Sequence, residues 1–147
     1  MSLEENKEIV RKSIEIINTQ DLSSIENIVA PDYVDNTRQI HGLENLKQFL
    51  SMIFKSFPDW HLTIEDIIAE GDKVWIRVTI TGTHTGEFRG LAPTGKKFTE
   101  RQVWIYRIVK GKILEGWDVD DNLDFYKQLG VIEYTEKGKK LFPEEAK

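Results

Sequence analysis

Apolar residues near the start of the chain recur at helical spacing. Val10, Ile14 and Ile17 fall on one side of a helix, so the pattern predicts an amphipathic helix with one buried stripe. Ser2 and Glu5 stand three positions apart just before this run, which is the spacing of a capping box. The first helix is therefore expected to begin directly after Ser2.

Two further helices are predicted before residue 60. Asp21 is a suitable cap for a short helix that stops before Pro31, because the residue before a proline disfavours helical geometry. Residues 32–42 have no clear period and are interpreted as a connection. A third helix follows Gly42, with apolar residues on one side, and Pro58 ends it.

After Pro58 the hydrophobic period changes from helical to alternating, which predicts strands. The predicted strands are WHLTIEDII (60–68), KVWIRVTITGT (73–83), FTERQVWIYRIV (98–109) and KILEGWDV (112–119). Residues 84–97 hold three glycines and a proline and are expected to form a long loop. A short helix then ends at Gly130.

Helices followed by strands indicate an α+β domain in which helices cover one face of an antiparallel sheet. A strongly curved sheet covered in this way forms a cone with a concave interior suited to a small ligand. We expect a single domain over residues 1–132 and a loosely held tail over residues 133–147.

The last two strands predict which side chains face the interior. A two-residue turn at "KG" places Val109 opposite Lys112, Trp104 opposite Trp117 and, without a bulge, Glu100 opposite Asp121. One face then holds Ile108, Tyr106, Trp104, Gln102, Glu100, Ile113, Glu115, Trp117, Val119 and Asp121. This face is interpreted as a ligand pocket with inward acids, while Asp118 and Asp120 are expected to point outward.

The first hairpin adds one more polar group. A turn at "GD" places Asp66 opposite Arg77, with Trp60 on the same side. Two interpretations remain open: a structural ion pair between strands, or an Arg77 that holds a carboxylate or enolate oxygen of a ligand.

Composition narrows the class of protein. The chain has 147 residues, 39% of them hydrophobic and 10% aromatic, which suits one domain with a core. The net charge of −5 argues against a nucleic-acid partner, and no apolar run reaches the ~20 residues that a membrane span needs. The chain contains no cysteine, so we expect a cytoplasmic protein without disulfides or a thiolate nucleophile.

The acidic stretch EGWDVDDN (115–122) raises the question of a metal site. Alternating oxygen donors follow the rhythm of a calcium loop: Asp118, Asp120, Asn122 and Asp124. Leu123 and Leu129 stand where that loop needs a glycine and a bidentate glutamate, so a calcium loop is rejected. The three histidines lack zinc-site spacing, and no phosphate-binding loop occurs. We expect neither a metal nor a cofactor.

Four segments resemble the SnoaL-like polyketide cyclases of the superfamily typified by nuclear transport factor two and ketosteroid isomerase. They are PDYV, GTHTGEFRGLAPTGKKF, YRIVKGKILEGWDVDD and QLG, and the resemblance covers residues 4–132. It implies a cone-shaped α+β barrel, a homodimer, and cofactor-free ring closure by aldol condensation with an inward Asp as acid/base. Within WDVDD, the resemblance leaves Asp118 and Asp121 as candidates, and the strand alternation favours Asp121.

The resemblance also bears on ligand-binding residues. The cyclases tend to have a His on the preceding strand, and Trp104 stands at the matching position, so that group is missing. Tyr33 and Asn36 lie where the family often has polar residues near the pocket mouth. His84 belongs to the shared loop motif, where it either meets the ligand or makes structural hydrogen bonds.

Three hypotheses follow. The first is a cyclase- or isomerase-type enzyme for a hydrophobic, carbonyl-bearing small molecule, with Asp121 as acid/base and Arg77, Gln102 and Trp104 orienting the substrate. The second is a non-catalytic protein that binds a small molecule in the same pocket. The third gives Asp121 a structural role as the cap of the helix that starts near Asn122.

Overall fold

The computed structural model of the protein describes residues 2–143. Its elements in chain order are α1 (Leu3–Thr19), a 3-10 helix (Leu22–Asn27), β1 (Val29–Asp35), β2 (Ile40–His41), α2 (Leu43–Ser56), β3 (His61–Glu70), β4 (Lys73–Thr83), β5 (Lys97–Val109), β6 (Lys112–Asp120), α3 (Asn122–Gln128) and α4 (Glu136–Leu141). Helices precede the main strands, so the predicted α+β class is confirmed.

The strands form one curved sheet of six in the order β2-β1-β6-β5-β4-β3, with the N-terminal helices over its concave face. Neighbouring strands are antiparallel except β1 and β6, which run parallel. The predicted helix-covered curved sheet is confirmed, with two refinements: the sheet is open, and it contains one parallel pair.

The helices pack as their apolar stripes predict. Ser2 caps α1, its hydroxyl accepting from the backbone N–H of Glu5 at 3.1 Å, and Val10, Ile14 and Ile17 are buried. Phe57, directly after α2, is fully buried at the centre of an aromatic cluster. The rings around Phe57 are Trp60, His84, Phe88, Phe98 and Phe125, with centroid distances of 5.2 to 5.9 Å.

The segment predicted as a helix end and a connection is instead the strand pair β1 and β2. Val29 pairs with Ile113 and Asp35 with Gly116, so β1 borders the middle of the sheet. The strand was missed because its partner lies about 80 residues further along the chain, and local periodicity contains no information about that pairing.

The hairpin between β5 and β6 starts as predicted and then departs from the prediction. Lys110 and Gly111 take φ of +52° and +78°, as a two-residue hairpin turn requires, and Val109 pairs with Lys112. Ile108 pairs with Ile113, but Arg107 then pairs with Glu115, so Leu114 is an extra residue in β6. This bulge reverses the facing of every later residue in the strand.

The hairpin between β3 and β4 also contains a bulge. Asp66 pairs with Arg77 as predicted, but the register shifts at Glu65. The shift leaves Leu62 and Ile64 facing the core, while Asp66 and Arg77 lie on the outer face of the sheet.

The segment predicted as a tail contains α4, which buries none of its side chains; residues 144–147 lie outside the described part of the chain. The division into a domain of residues 1–132 and a tail of residues 133–147 stays a prediction. Within residues 2–143, no helix has the length and apolarity that crossing a bilayer demands.

Candidate active site

Two cavities lie between the helices and the concave face of the sheet. One, of about 130 Å³, has mainly apolar walls and is called the apolar cavity. The other, of about 230 Å³, has more polar walls and is called the polar cavity. The two share five wall residues, so they form adjoining parts of one site: Arg38, Phe49, Ile53, Trp60 and Gln102.

Aromatic rings from β1 and β5 line the apolar cavity. Tyr33, Trp104 and Tyr106 face it, together with Trp60 from the loop after α2. A side chain at Gly116 would collide with the Tyr33 hydroxyl, so the glycine makes room for that ring. Burial, reinforced by nearby carboxylates, raises the pKa of both tyrosines, and their hydroxyls stay protonated as hydrogen-bond donors.

Arg38 lies between the two cavities and binds three carboxylates. Its Nη1 and Nη2 atoms lie 2.6 and 2.8 Å from the two oxygens of Asp118. Nη2 also donates to Asp120 at 2.7 Å, and Nη1 to Asp35 at 3.1 Å. The guanidinium carbon lies 5.2 Å from the ring centroid of Phe49. Bidentate pairing of this kind fixes both partners in one geometry.

The turn between β1 and β2 positions this arginine. The carboxylate of Asp35 accepts the backbone N–H groups of Thr37 and Arg38, each at 3.0 Å. The Thr37 hydroxyl accepts the backbone N–H of Asp118 at 2.8 Å, which joins the turn to β6. The guanidinium is therefore held from its own turn and from the facing strand.

Asp118 and Asp120 stand two residues apart on β6 and differ in protonation. Burial acts to raise the pKa of Asp118, but hydrogen bonds with Asp120 and Arg38 outweigh it and lower that pKa. Burial, together with the hydrogen bond and charge of Asp118, raises the pKa of Asp120 to about 8. Near neutral pH the arrangement holds Asp118 ionised and Asp120 protonated, as in sites where neighbouring acids divide acid and base roles.

Glu100 is a second carboxyl group with a raised pKa. It is 2% exposed, and burial raises its pKa to about 7 against the opposing hydrogen bond of Gln102. Its Oε2 atom and the Oδ1 atom of Asp120 are buried, and neither has a hydrogen-bond partner among residues 2–143. Both residues line the polar cavity, so two carboxyl oxygens there are free to meet a ligand.

Several residues predicted for the site do line it. Tyr33, Trp104 and Asp118 border the apolar cavity, and Trp60 and Gln102 border both cavities. Trp104 Nε1 donates to Gln102 Oε1 at 2.5 Å, which fixes the orientation of the amide. Contact with a ligand stays a prediction for each of them.

The bulge in β6 makes the predicted facing of four residues wrong. Asp118 and Asp120 point inward, not outward. Glu115 faces outward, with its carboxylate 3.1 Å from Arg107. Asp121 lies past the end of β6, is exposed, and accepts the backbone N–H of Asp124 as the cap of α3. The predicted capping role of Asp121 is confirmed.

Two other predicted residues change sides. Trp117 pairs with Ile105, which places its side chain on the outer face, although the residue borders the apolar cavity from β6. Arg77 is about half exposed on the outer face, where its Nε atom lies 2.6 Å from Asp66. Its predicted place in the pocket is wrong, because the inward positions of β4 belong to Val74, Ile76, Val78 and Ile80.

Asn36 and His84 line neither cavity. The backbone N–H of Asn36 donates to Gly116 at 2.8 Å. His84 is fully buried, and its Nδ1 atom accepts the backbone N–H of Thr94 at 3.1 Å. The structural alternative for His84 agrees with this geometry, and the imidazole fixes the long loop against the aromatic cluster.

Sequence reasoning missed Arg38 and Asp35, which lie in the segment interpreted as a connection. It placed Glu100 inward without assigning it a role. The available signal was the D-x-x-R spacing, since an Asp that accepts nearby backbone N–H groups is a common turn device. That signal indicates a turn, but not that the turn faces β6.

Comparison with known proteins assigns the chain to a family. The family model for the SnoaL-like polyketide cyclases matches residues 7–129. The chain belongs to this family. Aklanonic acid methyl ester cyclase AcmA of Streptomyces galilaeus is 29% identical over 127 residues, which is 82% of this chain and 88% of that protein. Nogalonic acid methyl ester cyclase of Streptomyces nogalater is 26% identical over 123 residues, 80% of this chain and 91% of that protein.

Solved structures agree with this SnoaL-like assignment. AclR of Streptomyces galilaeus, a candidate hydroxylase, is 33% identical with a TM-score of 0.80, and the match covers 89% of this chain and 99% of AclR. IdmH of Streptomyces antibioticus, a candidate polyketide cyclase, is 30% identical with a TM-score of 0.73, and the match covers 86% and 99% of the two chains. The fold is thus shared with AclR and IdmH over nearly their whole length.

Proposed function

We propose that this SnoaL-like protein is an acid/base enzyme that closes a ring in, or isomerises, a hydrophobic polyketide-like substrate bearing carbonyl groups. The main support is the pair of free, buried carboxyl oxygens on Glu100 and Asp120 beside an aromatic cavity. Relatives named as cyclases of aklanonic and nogalonic acid methyl esters support the same reaction class.

The two acids have complementary tasks in this proposal. The Glu100 carboxylate takes a proton from the carbon beside a carbonyl group, and the C–H electron pair moves to form an enolate. Asp120 is kept protonated by burial and by its ionised neighbour Asp118. When substrate binds, the Asp120 proton moves from the hydrogen bond with Asp118 to the unpartnered Oδ1 atom, which donates a hydrogen bond to the enolate oxygen. The enolate carbon then bonds to a second carbonyl carbon, and the new alkoxide takes the proton back from Glu100.

The other groups orient these two. Arg38 holds Asp118 in a bidentate pair, so Asp118 sets the protonation of Asp120 rather than meeting the substrate proton itself. Trp104 and Tyr106 offer flat apolar surface to the rings of the ligand. The direct catalytic role predicted for Asp118 and Asp121 stays untested. Asp121 lies outside both cavities and acts on Glu100 only through its charge and its backbone, so its variant separates that predicted role from the one proposed for Glu100.

Turnover of nogalonic acid methyl ester, the compound named for one relative, tests the proposal. Glu100→Gln and Asp120→Asn should each lower kcat/KM by about 10² to 10⁴, the usual worth of a positioned acid or base. Asp121→Asn should stay within about threefold of the wild type. Binding without turnover in the wild-type protein would contradict the enzyme proposal and favour the non-catalytic alternative.

We also propose that the protein forms a homodimer through the outer face of the sheet. One apolar row crosses four strands there: Ile68, Trp75, Ile105 and Trp117. Ile68 and Trp75 are 64% and 45% exposed, and Val119 in the next row is 67% exposed. A second copy would cover this row by pairing the same surface on both subunits.

We propose a cytoplasmic location as well, and cell fractionation tests it.

A further inference from the structure

The rim of the polar cavity holds a cation that the proposed chemistry does not use. Arg89 lies in the loop of residues 84–96 and borders this cavity with its side chain exposed. Its guanidinium carbon lies 5.1 Å from the ring centroid of Phe88, and its Nη1 atom is 3.5 Å from the Tyr126 hydroxyl of α3. Arg89 and Tyr126 thus stand side by side at the mouth.

The tip of the loop is fixed in place. The Ser56 hydroxyl donates to the backbone carbonyl of Glu87 at 2.6 Å, which attaches the loop to the end of α2. The Glu87 carboxylate accepts the backbone N–H of Gly90 at 3.0 Å. Phe88 and Leu91 exchange backbone hydrogen bonds of 3.0 and 2.8 Å across the tip. The Arg89 backbone is therefore held on both sides.

The charge of Arg89 is uncompensated. Among residues 2–143, Arg38, Arg77 and Arg107 form ion pairs with carboxylates, whereas Arg89 and Arg101 form none. Of these two, Arg89 borders the polar cavity and Arg101 does not. The carboxylate nearest in sequence, Glu87, is bound to Gly90 instead. An arginine stacked on a ring, beside a tyrosine hydroxyl and facing a cavity, matches the planar two-oxygen geometry of a carboxylate.

We propose that Arg89 and Tyr126 bind a carboxylate substituent of the substrate at the mouth of the polar cavity. The proposal rests on the proposed function, because it names the substrate class of the same site. The guanidinium binds both carboxylate oxygens, and the Tyr126 hydroxyl donates a further hydrogen bond. The ring system then extends past Phe88 and Trp60 toward Glu100 and Asp120. At this position a free carboxylate is therefore expected to bind more tightly than the corresponding methyl ester.

Three matched probes test this selectivity: anthraquinone-2-carboxylic acid, its methyl ester, and 2-(aminomethyl)anthraquinone. They share a flat tricyclic ketone and differ in charge. Quenching of tryptophan fluorescence gives their Kd values, because Trp60 and Trp104 line the site. The acid should bind about tenfold more tightly than the ester, because a hydrogen bond to a charged group contributes about that much to affinity. The amine should bind most weakly, because its positive charge is repelled by Arg89.

Variants then assign the effect to Arg89. Arg89→Gln should weaken acid binding about tenfold and leave ester binding within about twofold, while Arg89→Lys should lie between because it keeps the charge without the fork. Arg11→Gln, an equal charge change on the exposed face of α1, is the matched control and should change neither. Arg89 and Arg11 are both exposed, so all three variants are expected to fold like the wild type. Thermal melting checks this.

The outcomes separate this inference from the proposed function. Equal binding of acid and ester, or equal loss of both in Arg89→Gln, overturns the carboxylate site and leaves the acid/base proposal standing. Tightest binding of the amine overturns it as well, since the cavity acids would then select the ligand. Failure of all three probes to bind contradicts both the carboxylate site and the hydrophobic carbonyl ligand of the proposed function.

Discussion

Three carboxyl groups facing one site acquire different properties from their immediate neighbours. Asp118 is held ionised by a bidentate arginine, while Asp120, two residues later, has that ionised neighbour and a buried free oxygen. Glu100 has neither an arginine nor a partner for its Oε2 atom. The side-chain environment thus gives three carboxyl groups different protonation behaviour, which is the basis of the acid and base roles proposed for Asp120 and Glu100.

The raised pKa values predict how stability depends on pH. In the folded chain the pKa of Glu100 rises from 4.5 to about 7 and that of Asp120 from 3.8 to about 8. Between these limits the folded state binds more protons than the unfolded state, so stability is highest below the ordinary pKa values and falls as pH rises. The slope reaches at most about 1.4 kcal/mol per pH unit per group.

Glu100→Gln and Asp120→Asn should each flatten this fall between about pH 5 and 8, because neither amide ionises. Urea unfolding at several pH values measures the effect. Asp118, whose pKa is lowered, adds stability that is lost only below its ordinary pKa of 3.8, outside this window. Stability profiles of both variants that run parallel to the wild type would contradict the assigned protonation states.

Among the secondary-structure elements, the local sequence pattern predicted where helices and turns lie. It did not predict which face of a strand each side chain occupies. The cap at Ser2, the helix after Gly42 and the turn at Lys110 and Gly111 each depend on a few adjacent residues, and all three are found in the structure. The bulge at Leu114 has no comparable signal, because no residue type there demands an extra position. One residue therefore inverted the predicted facing of the most informative strand.

Strand β1 was missed for a different reason. Pro31 and Asp32 disfavour strand structure locally, and the parallel pairing with β6 becomes visible only after the chain has folded. Since Asp35 and Arg38 depend on that pairing, the charged centre of the site was not predictable from spacing alone. The aromatic positions on β5 were predictable, because β5 has no bulge before the turn.

The capping role of Asp121 gives a prediction at this scale. Asp121→Ala should cost about 1 kcal/mol of unfolding free energy, because the cap of α3 is lost. Turnover should change little, since the side chain lies outside both cavities. Chemical denaturation checks the first effect, with Asp32→Ala at an exposed position of β1 as the control. An unchanged stability, or a hundredfold loss of turnover, would count against the capping role.

For the whole molecule, the outer face of the sheet predicts assembly. Trp75→Lys should raise the dimer dissociation constant at least about tenfold, because it places a charge in the apolar row. Leu141→Lys, at an exposed apolar position on α4, is the matched control and should leave the dimer intact. Light scattering over a concentration series measures both. A wild-type monomer at micromolar concentration would contradict the proposed dimer.

The fold as a whole explains why the chemistry is placed where it is. The helices close the concave face, β5 and β6 supply the acids, and the turn after β1 supplies the arginine that separates their roles. The SnoaL-like family model matches residues 7–129, which include these strands and, apart from the first turn of α1, these helices. The proton-transfer assignment to Glu100 and Asp120, and the carboxylate site at Arg89, are proposals that rest on the side-chain geometry of this chain.

Proton abstraction is the central claim, and deuterium exchange measures it most directly. In D₂O, the carbon-bound hydrogen beside a carbonyl of nogalonic acid methyl ester should exchange in the presence of the wild-type protein, as followed by NMR. Glu100→Gln should slow this exchange about 10² to 10⁴-fold, and Asp121→Asn should leave it unchanged. Exchange by Glu100→Gln at the wild-type rate would contradict the account.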